Sequence, residues 1–185
     1  MWFGVACDAQ RVFGTSFAAS QQEALKSLLD GMPFNVPFQV FSTPSAFAAN
    51  ALALVKDIYY GKDVSRGFPF AMKHLPAYTR RVLEVTELIP VGYVASYGGV
   101  AKAVGGSARA VGNVMAANPF GPIVPCHRVV CSDLTLGGYG GGLKVKRAFL
   151  EREKRGYNSP REVTVGERKL QVFPVEFVLK KFGEA

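Results

Sequence analysis

At 185 residues, nearly half of them apolar, the chain is long enough to bury a core and too apolar to belong to the disordered class. A net charge of +8 points to an anionic partner, and three cysteines with no CxxC pair exclude a disulfide framework and favour a reducing compartment. No apolar run is long enough to span a bilayer and no basic stretch precedes an apolar one at the start, so a soluble cytoplasmic protein with no membrane partner is expected.

Met1 to Ala6 and Val12 to Ala18 are short apolar runs on either side of Cys7-Asp8-Ala9-Gln10-Arg11 and read as a hairpin. Ser20-Gln21-Gln22-Glu23 matches a capping box, which predicts a helix running to Asp30 and ending at Gly31. Pro33 and Pro37 interrupt the chain before Phe38 to Ser42, read as a third strand. Thr43-Pro44 pairs a cap residue with a first-turn proline, and the helix it predicts reaches about Tyr60. Its apolar stripe of Phe47, Ala51, Leu54, Val55 and Ile58 recurs at helical spacing and is assigned to a core. Lys62 to Lys73 lacks periodicity and reads as a linker, so residues 1–74 form a first domain.

The second domain, 75–157, opens with a helix over Ala77 to Ile89, ended by Pro90 and Gly92. Most of the positive charge lies here and beyond. Residues 1–76 hold six Lys/Arg against five Asp/Glu, whereas 77–185 hold sixteen against nine. Tyr97 to Val104 predicts a short helix, Gly105-Gly106 a turn, and Ser107 to Ala117 a second helix capped by Ser107. This is a helix-turn-helix candidate. On the second helix Val111, Val114 and Met115 face inward, leaving Arg109, Gly112, Asn113 and Ala116 outward with Ala108 and Ser107 at the start. Such a ridge has few groups that read base edges but permits close approach to a groove, and close helix packing would accept the same small residues.

Phe120 to Val130 reads as a loop and short extended segment bearing Pro125-Cys126-His127-Arg128-Val129-Val130. A thiol beside an imidazole on a stiff apolar segment suits nucleophilic chemistry at sulfur, since a free thiol with a pKa near ~8.5 needs a base to ionise it at neutral pH. The plainer alternative makes Cys126 a small core residue with His127 and Arg128 in solvent. A glycine-rich loop, Asp133 to Gly142, follows with Tyr139 as its large side chain, then a helix over Leu143 to Arg155. Metal ligation is not expected, because Cys7, Cys126, Cys131, His74 and His127 lack ligand spacing. No cofactor is expected either. Residues 158–185 read as an extension containing a hairpin about Gly166-Glu167, with no legible function.

Arg109-Ala110-Val111-Gly112, Ala117-Asn118-Pro119, Pro125 to Val130 and the glycines around Tyr139 together resemble one family, the O6-alkylguanine-DNA alkyltransferases. The resemblance is strong from about Tyr78 to Gly156. It implies an α+β protein with a ribonuclease H-like strand and helix domain and a winged helix-turn-helix-like alkyltransferase domain. It also implies a suicidal repair reaction, in which the alkyl group of a flipped O6-alkylguanine in double-stranded DNA moves to Cys126. A monomer without an obligate protein partner is expected. By match to the family's motifs, Cys126, a water, His127 and Glu153 form a proton chain, and Tyr97 gives the departing guanine its proton. Arg109 enters the base stack, Asn118 braces the active-site loop, and Pro125, Val129, Tyr139, Gly140, Gly141 and Lys146 shape the pocket. Gly98-Gly99 and Gly140 depart from the family pattern, which leaves room for a wider pocket. From other classes, a cysteine hydrolase and a non-catalytic DNA-binding module remain open, as does a lesion-binding relative of the family; relatives of that last kind lack the cysteine.

Overall fold

A computed structural model describes residues 1–32, 36–64 and 67–183 of the chain. Pro33, Ser65 and Arg66, which fall in the expected break and linker, lie outside the described residues. The chain divides into two compact units, Met1–Pro76 with Asn118–Ile123, and Ala77–Ala117 with Val124–Ala185.

In the first unit β1 (Trp2–Cys7) and β2 (Val12–Ala18) form the expected antiparallel hairpin, with Trp2 opposite Ala18. Helix α1 (Gln21–Asp30) follows, and its capping box is complete, with the Ser20 hydroxyl accepting from the Glu23 amide and the Glu23 carboxylate accepting from the Ser20 amide. Gly4 lets α1 lie close on β1, because a Cβ there would stand 2.7 Å from the Leu28 side chain. Helix α2 (Ala46–Tyr59) places Val55 and Ile58 in a core with Ile123, against Phe3, Val5 and Leu54.

Three sequence expectations in this unit need correction. Phe38 to Ser42 is not a strand; it has the right alternation but pairs with nothing regular, and Phe41 is 70% exposed. The cap of α2 is Ser45, whose hydroxyl accepts from the Ala48 amide, so Thr43 and Pro44 lie ahead of the helix. The described part of the expected linker is docked, since Val12 donates to Pro69 O at 2.9 Å and accepts from the Ala71 amide at 2.8 Å. The loop Asn118–Ile123 also belongs to this unit. It satisfies Thr15, whose amide donates to Pro119 O at 2.8 Å and whose hydroxyl donates to Gly121 O at 2.7 Å.

In the second unit α3 (Ala77–Glu87) leads to β3 (Tyr93–Ser96), a four-residue strand the sequence reading passed over. Helices α4 (Tyr97–Val104) and α5 (Ala108–Ala116) lie where expected, with Ser96 and Ser107 as their caps. Cys126–Arg128 is a 3-10 turn, which corrects the expected extended segment, and β4 (Val129–Val130) continues from it. Helix α6 (Leu143–Arg152) stops three residues earlier than expected, so that Glu153 is its cap and not part of its last turn. Strands β5 (Arg161–Val165) and β6 (Arg168–Pro174) form the expected terminal hairpin, and α7 (Val175–Gly183) follows.

The terminal segment is structural and not an appendage. The sheet runs β4-β3-β6-β5, with β3 parallel to β4 and antiparallel to β6. The strand that leads into Tyr97 therefore lies between the strand that follows Cys126 and one from the extension. Val94, Val130, Leu136, Leu150, Val175 and Val178 make one buried cluster, so β3, β4, α6 and α7 share a core.

Truncation separates these placements. Leu170 is fully buried on β6, and Leu170→Ala is expected to cost roughly 2–5 kcal/mol in denaturant unfolding, whereas Phe41→Ser is expected to change stability by less than about 0.5 kcal/mol. A Leu170→Ala protein as stable as the parent would make the extension peripheral.

Candidate active site

The 3-10 turn is closed by Arg128 N donating to Pro125 O at 2.9 Å and by Val129 N donating to Cys126 O, and Cys126 N donates back to Val124 O at 2.8 Å. Successive side chains on such a turn diverge by about a third of a revolution. Cys126, His127 and Arg128 therefore point three ways from one rigid element, all three buried. The plain alternative, in which His127 and Arg128 face solvent, is excluded.

His127 is fully buried and held on two sides. Its ring stacks on Phe149, with centroids 4.5 Å apart and planes 20° from parallel. Its Nε2 lies 2.9 Å from Glu153 Oε1. An ionised carboxylate only accepts, so Nε2 carries the proton and Nδ1 holds a lone pair. That Nδ1 is buried and has no hydrogen-bond partner among the described residues. Burial holds the imidazole below its ordinary pKa of 6.5, against the raising effect of Glu153, and the Arg128 and Lys146 charges lower it further. The ring is thus a neutral base at neutral pH.

Glu153 is 1% exposed. Arg128 grips it in a fork, Nε to Oε2 at 2.9 Å and Nη2 to Oε1 at 2.7 Å, while Nη1 donates to Ile89 O at 2.6 Å. Burial pushes the carboxyl up, but the charges and hydrogen bonds of His127 and Arg128 outweigh it and bring the pKa to about 2. Sequence reasoning assigned Arg128 no role. A guanidinium directly after a candidate base and ahead of two valines was the available signal, since an apolar setting forces a cation to find a carboxylate.

Lys146 is also fully buried, and its ammonium donates to Val129 O at 2.6 Å, Leu136 O at 2.5 Å and Gly138 O at 3.1 Å. Three donors meet three acceptors, which ties the segment after Cys126 to the glycine-rich loop. Burial lowers its pKa to about 8, against the raising effect of Cys126 and Cys131, and it remains charged at neutral pH. Its Nζ lies 5.7 Å from the centre of the Tyr97 ring.

Tyr97 opens α4, and its hydroxyl donates to Gly138 O at 3.3 Å. Burial, then proximity to Cys131 and Cys126, pushes the phenol up to about 12, so it stays protonated. Gly137 sits behind it at φ +64, where a Cβ would stand 2.9 Å from the Tyr97 ring and 3.0 Å from Cys131 Sγ. Only glycine meets both demands. Tyr139 is half-buried, with its ring at an angle to Phe149, and burial raises its phenol well above the ordinary value. Gly140 is exposed with open space at its Cβ position, while a Cβ at Gly141 would stand 3.1 Å from the Tyr139 ring.

The remaining sequence-predicted residues lie elsewhere. Asn118 is in the first unit, where its Oδ1 accepts from the Phe120 amide at 3.0 Å. On α5, Arg109, Asn113 and Ala116 are exposed and Gly112 is partly so; Ser107 and Ala108 are exposed at its start. Val111, Val114 and Met115 are buried, as the periodicity required.

Residues 77–155 match the family model described as 6-O-methylguanine DNA methyltransferase, DNA binding domain. The chain is 32% identical over 138 residues to the methylated-DNA–protein-cysteine methyltransferase of Methanocaldococcus jannaschii, a match covering 72% of this chain and 77% of that protein. The chain belongs to this methyltransferase family. A solved O6-methylguanine-DNA methyltransferase from Pyrococcus kodakaraensis superposes with TM-score 0.66 at 30% identity, covering 82% of this chain and 90% of that one. The Mycobacterium tuberculosis OGT protein, solved in complex with DNA, superposes with TM-score 0.61 at 29% identity over 81% of this chain and 84% of that one. Other methyltransferases match over a shorter stretch; against that of Methanothermobacter thermautotrophicus, 47% identical, the chain spans 43% of the relative's length. These two solved relatives are covered over 90% and 84% of their lengths, while the family model stops at residue 155 of this chain.

The buried charges predict how stability responds to acid. For Glu153 the folded pKa of about 2 lies below the ordinary 4.5, so its contribution is complete above 4.5 and is lost as pH falls toward 2. For His127 the folded value lies below 6.5, so the unfolded chain takes up the proton more readily and stability falls as pH drops below 6.5. Both act in one direction. The melting temperature is expected to decline from pH 6.5 downward and more steeply below 4.5. Glu153→Gln, which leaves Arg128 buried without a countercharge, is expected to cost about 3–5 kcal/mol at neutral pH and to flatten the lower step. A protein that gains stability between pH 7 and 5 would contradict the assignment.

Proposed function

We propose that this protein repairs O6-alkylguanine in double-stranded DNA by moving the alkyl group, once per molecule, to Sγ of Cys126. The observation that carries the reading is the buried imidazole next to that thiol in sequence, with Nε2 fixed on Glu153 and Nδ1 free to accept a proton. Nδ1 takes the proton of Cys126, through one water where the side chains diverge, and Glu153 stabilises the resulting imidazolium. The thiolate attacks the alkyl carbon on O6, a carbon–sulfur bond forms as the carbon–oxygen bond breaks, and the electron pair goes to the guanine. Tyr97, a phenol that stays protonated to about pH 12, donates the proton the base requires. The proton that His127 took from Cys126 then passes by way of solvent to the Tyr97 oxygen, so both side chains end neutral. A thioether is a poor leaving group, and water has no assistance at that carbon, so the reaction ends there.

A fold is needed that brings DNA to the thiol, and α4 and α5, joined through Gly105 and Gly106, support a helix-turn-helix reading. The ridge of part-exposed Gly112 with exposed Asn113 and Ala116 has little to read base edges with, which suits a protein that tracks a groove and finds damage instead of sequence. Arg109, exposed on the first turn of α5, is the side chain long enough to enter the stack when the guanine is extruded. Gly140 and Gly141 allow backbone to approach the base beside Tyr139, and Asn118 and Pro125 shape the segment leading to Cys126. The ribonuclease H-like reading of the first unit rests on the resemblance. A monomer in the cytoplasm remains the expectation.

Two experiments test the reading. Cys126→Ser is expected to abolish transfer from O6-methylguanine while leaving duplex affinity within a few fold, because phosphate contacts dominate binding; intact mass should show one alkyl group per wild-type molecule. More than one repair per molecule, or alkylation at Cys7 or Cys131, would overturn it in favour of a turnover enzyme or another nucleophile. Arg109→Ala is expected to slow repair in duplex DNA at least tenfold and reaction with free O6-benzylguanine hardly at all, since only the duplex must be unstacked. Equal losses on both substrates would make Arg109 a structural residue.

A further inference from the structure

Glu153 must hold an oxygen 2.9 Å from His127 while occupying the cap position of α6, where helices fray. The helix itself gives little support beyond that point, because the next amide, Lys154 N, reaches Glu151 O at 3.4 Å. Support comes from the terminal segment. Oε1 of Glu176, in the first turn of α7, accepts from Arg155 N at 3.1 Å and Gly156 N at 2.7 Å. The two successive amides thus make a seat for one carboxylate oxygen, and Gly156, at φ +73, turns the chain away just after it. The other oxygen, Oε2, is buried and has no hydrogen-bond partner among the described residues.

The post is rigid. Val175 donates to Gly92 O at 3.0 Å, and Val175 and Val178 are fully buried with Val94, Val130 and Leu150. The Arg155 guanidinium closes the opposite side, donating to Arg152 O at 3.2 Å and Lys154 O at 2.9 Å. At the same corner Gly92 leaves no room for a side chain, since a Cβ there would stand 2.8 Å from the Tyr157 ring. Three residues beyond Glu153, then, the chain is clamped to an element that the family model, ending at residue 155, does not include.

We propose that Glu176 is a positioning residue for the proton chain: by binding the amides of Arg155 and Gly156 it keeps Glu153 on His127, and the terminal hairpin and helix serve thiolate formation at Cys126. The inference rests on the reading of His127 as the base for Cys126. Loss of Glu176 lets Glu153 swing from the imidazole, lowers the affinity of Nδ1 for a proton, and leaves the thiol to ionise unaided.

Glu176→Ala and Glu176→Gln in the full chain test it, the glutamine keeping an acceptor for both amides. With free O6-benzylguanine, which involves no duplex, Glu176→Ala is expected to transfer at least tenfold more slowly and to need a higher pH for half-maximal rate; Glu176→Gln should recover most of both. Duplex affinity should stay within about twofold of wild type. The ring N–H proton of His127, followed by NMR, should exchange with solvent faster in Glu176→Ala than in wild type, which reads the His127–Glu153 bond without any transfer. An unchanged pH profile with unchanged ring N–H exchange in Glu176→Ala overturns the positioning role, as does a glutamine variant as impaired as the alanine one. Wild-type protein that leaves Cys126 unmodified overturns the alkyl-transfer reading instead, and the exchange measurement still decides whether Glu176 holds the pair.

Discussion

Glu153 keeps a full negative charge almost out of reach of water, and it can do so because His127 and Arg128 bring four donor contacts to its two oxygens. Remove the carboxylate and the Arg128 guanidinium is left buried without a countercharge and Nε2 of His127 without its acceptor; remove Arg128 and the charge of Glu153 has only a neutral ring beside it. The three groups stand or fall together, which ties the 3-10 turn of Cys126–Arg128 to the cap of α6. The guanidinium also reaches Ile89 O, tying the end of the segment after α3 into the same network. Rigidity at the thiol is therefore a by-product of electrostatic necessity.

A second fixed point lies on the other side of the thiol. Lys146 gathers three carbonyls from the strand after Cys126 and from the glycine loop, and one of them, Gly138 O, also accepts from Tyr97. The proposed base, His127, and the proposed acid, Tyr97, are thus held by two separately anchored parts, the former through Glu153 and the latter through Lys146 and Gly137. Their pKa values are driven apart, the imidazole downward and the phenol upward, and in both cases burial is the largest cause. One group is ready to receive a proton and the other to give one.

Much of this was legible in the residues themselves. Capping residues located α1 and α5 because a cap is a local interaction, complete within four residues. Periodicity found the buried face of α5 for the same reason. What escaped was decided at a distance. Phe38 to Ser42 has the alternation of a strand, yet a strand needs a neighbour, and sequence does not name one. Strand β3 was missed because four residues between Gly92 and a helix are too few to show a period, and its partners come from residues 129–130 and 173–174. Arg128 looked like a surface cation, and its burial follows from a carboxylate 25 residues on; Lys146 was assigned to the pocket by resemblance, but the three backbone oxygens that hold it could not be read from the residues. The thiol, its base and the carboxylate were identifiable by resemblance, but the 3-10 geometry that separates the first two was not.

The loop Asn118–Ile123 has a bearing on how the chain comes to be folded. It returns to β2 after an excursion of more than forty residues through α3, β3, α4 and α5, and only then do the amide and hydroxyl of Thr15 find their acceptors. Phe120, fully buried against Phe70, arrives with it. During synthesis the leading unit therefore emerges with an open edge and waits for a late segment to close it, so contacts of high sequence separation gate its completion. The same late segment hands the chain directly to Val124, Pro125 and Cys126, so the reactive residue emerges from the ribosome immediately after the piece that seals the first unit.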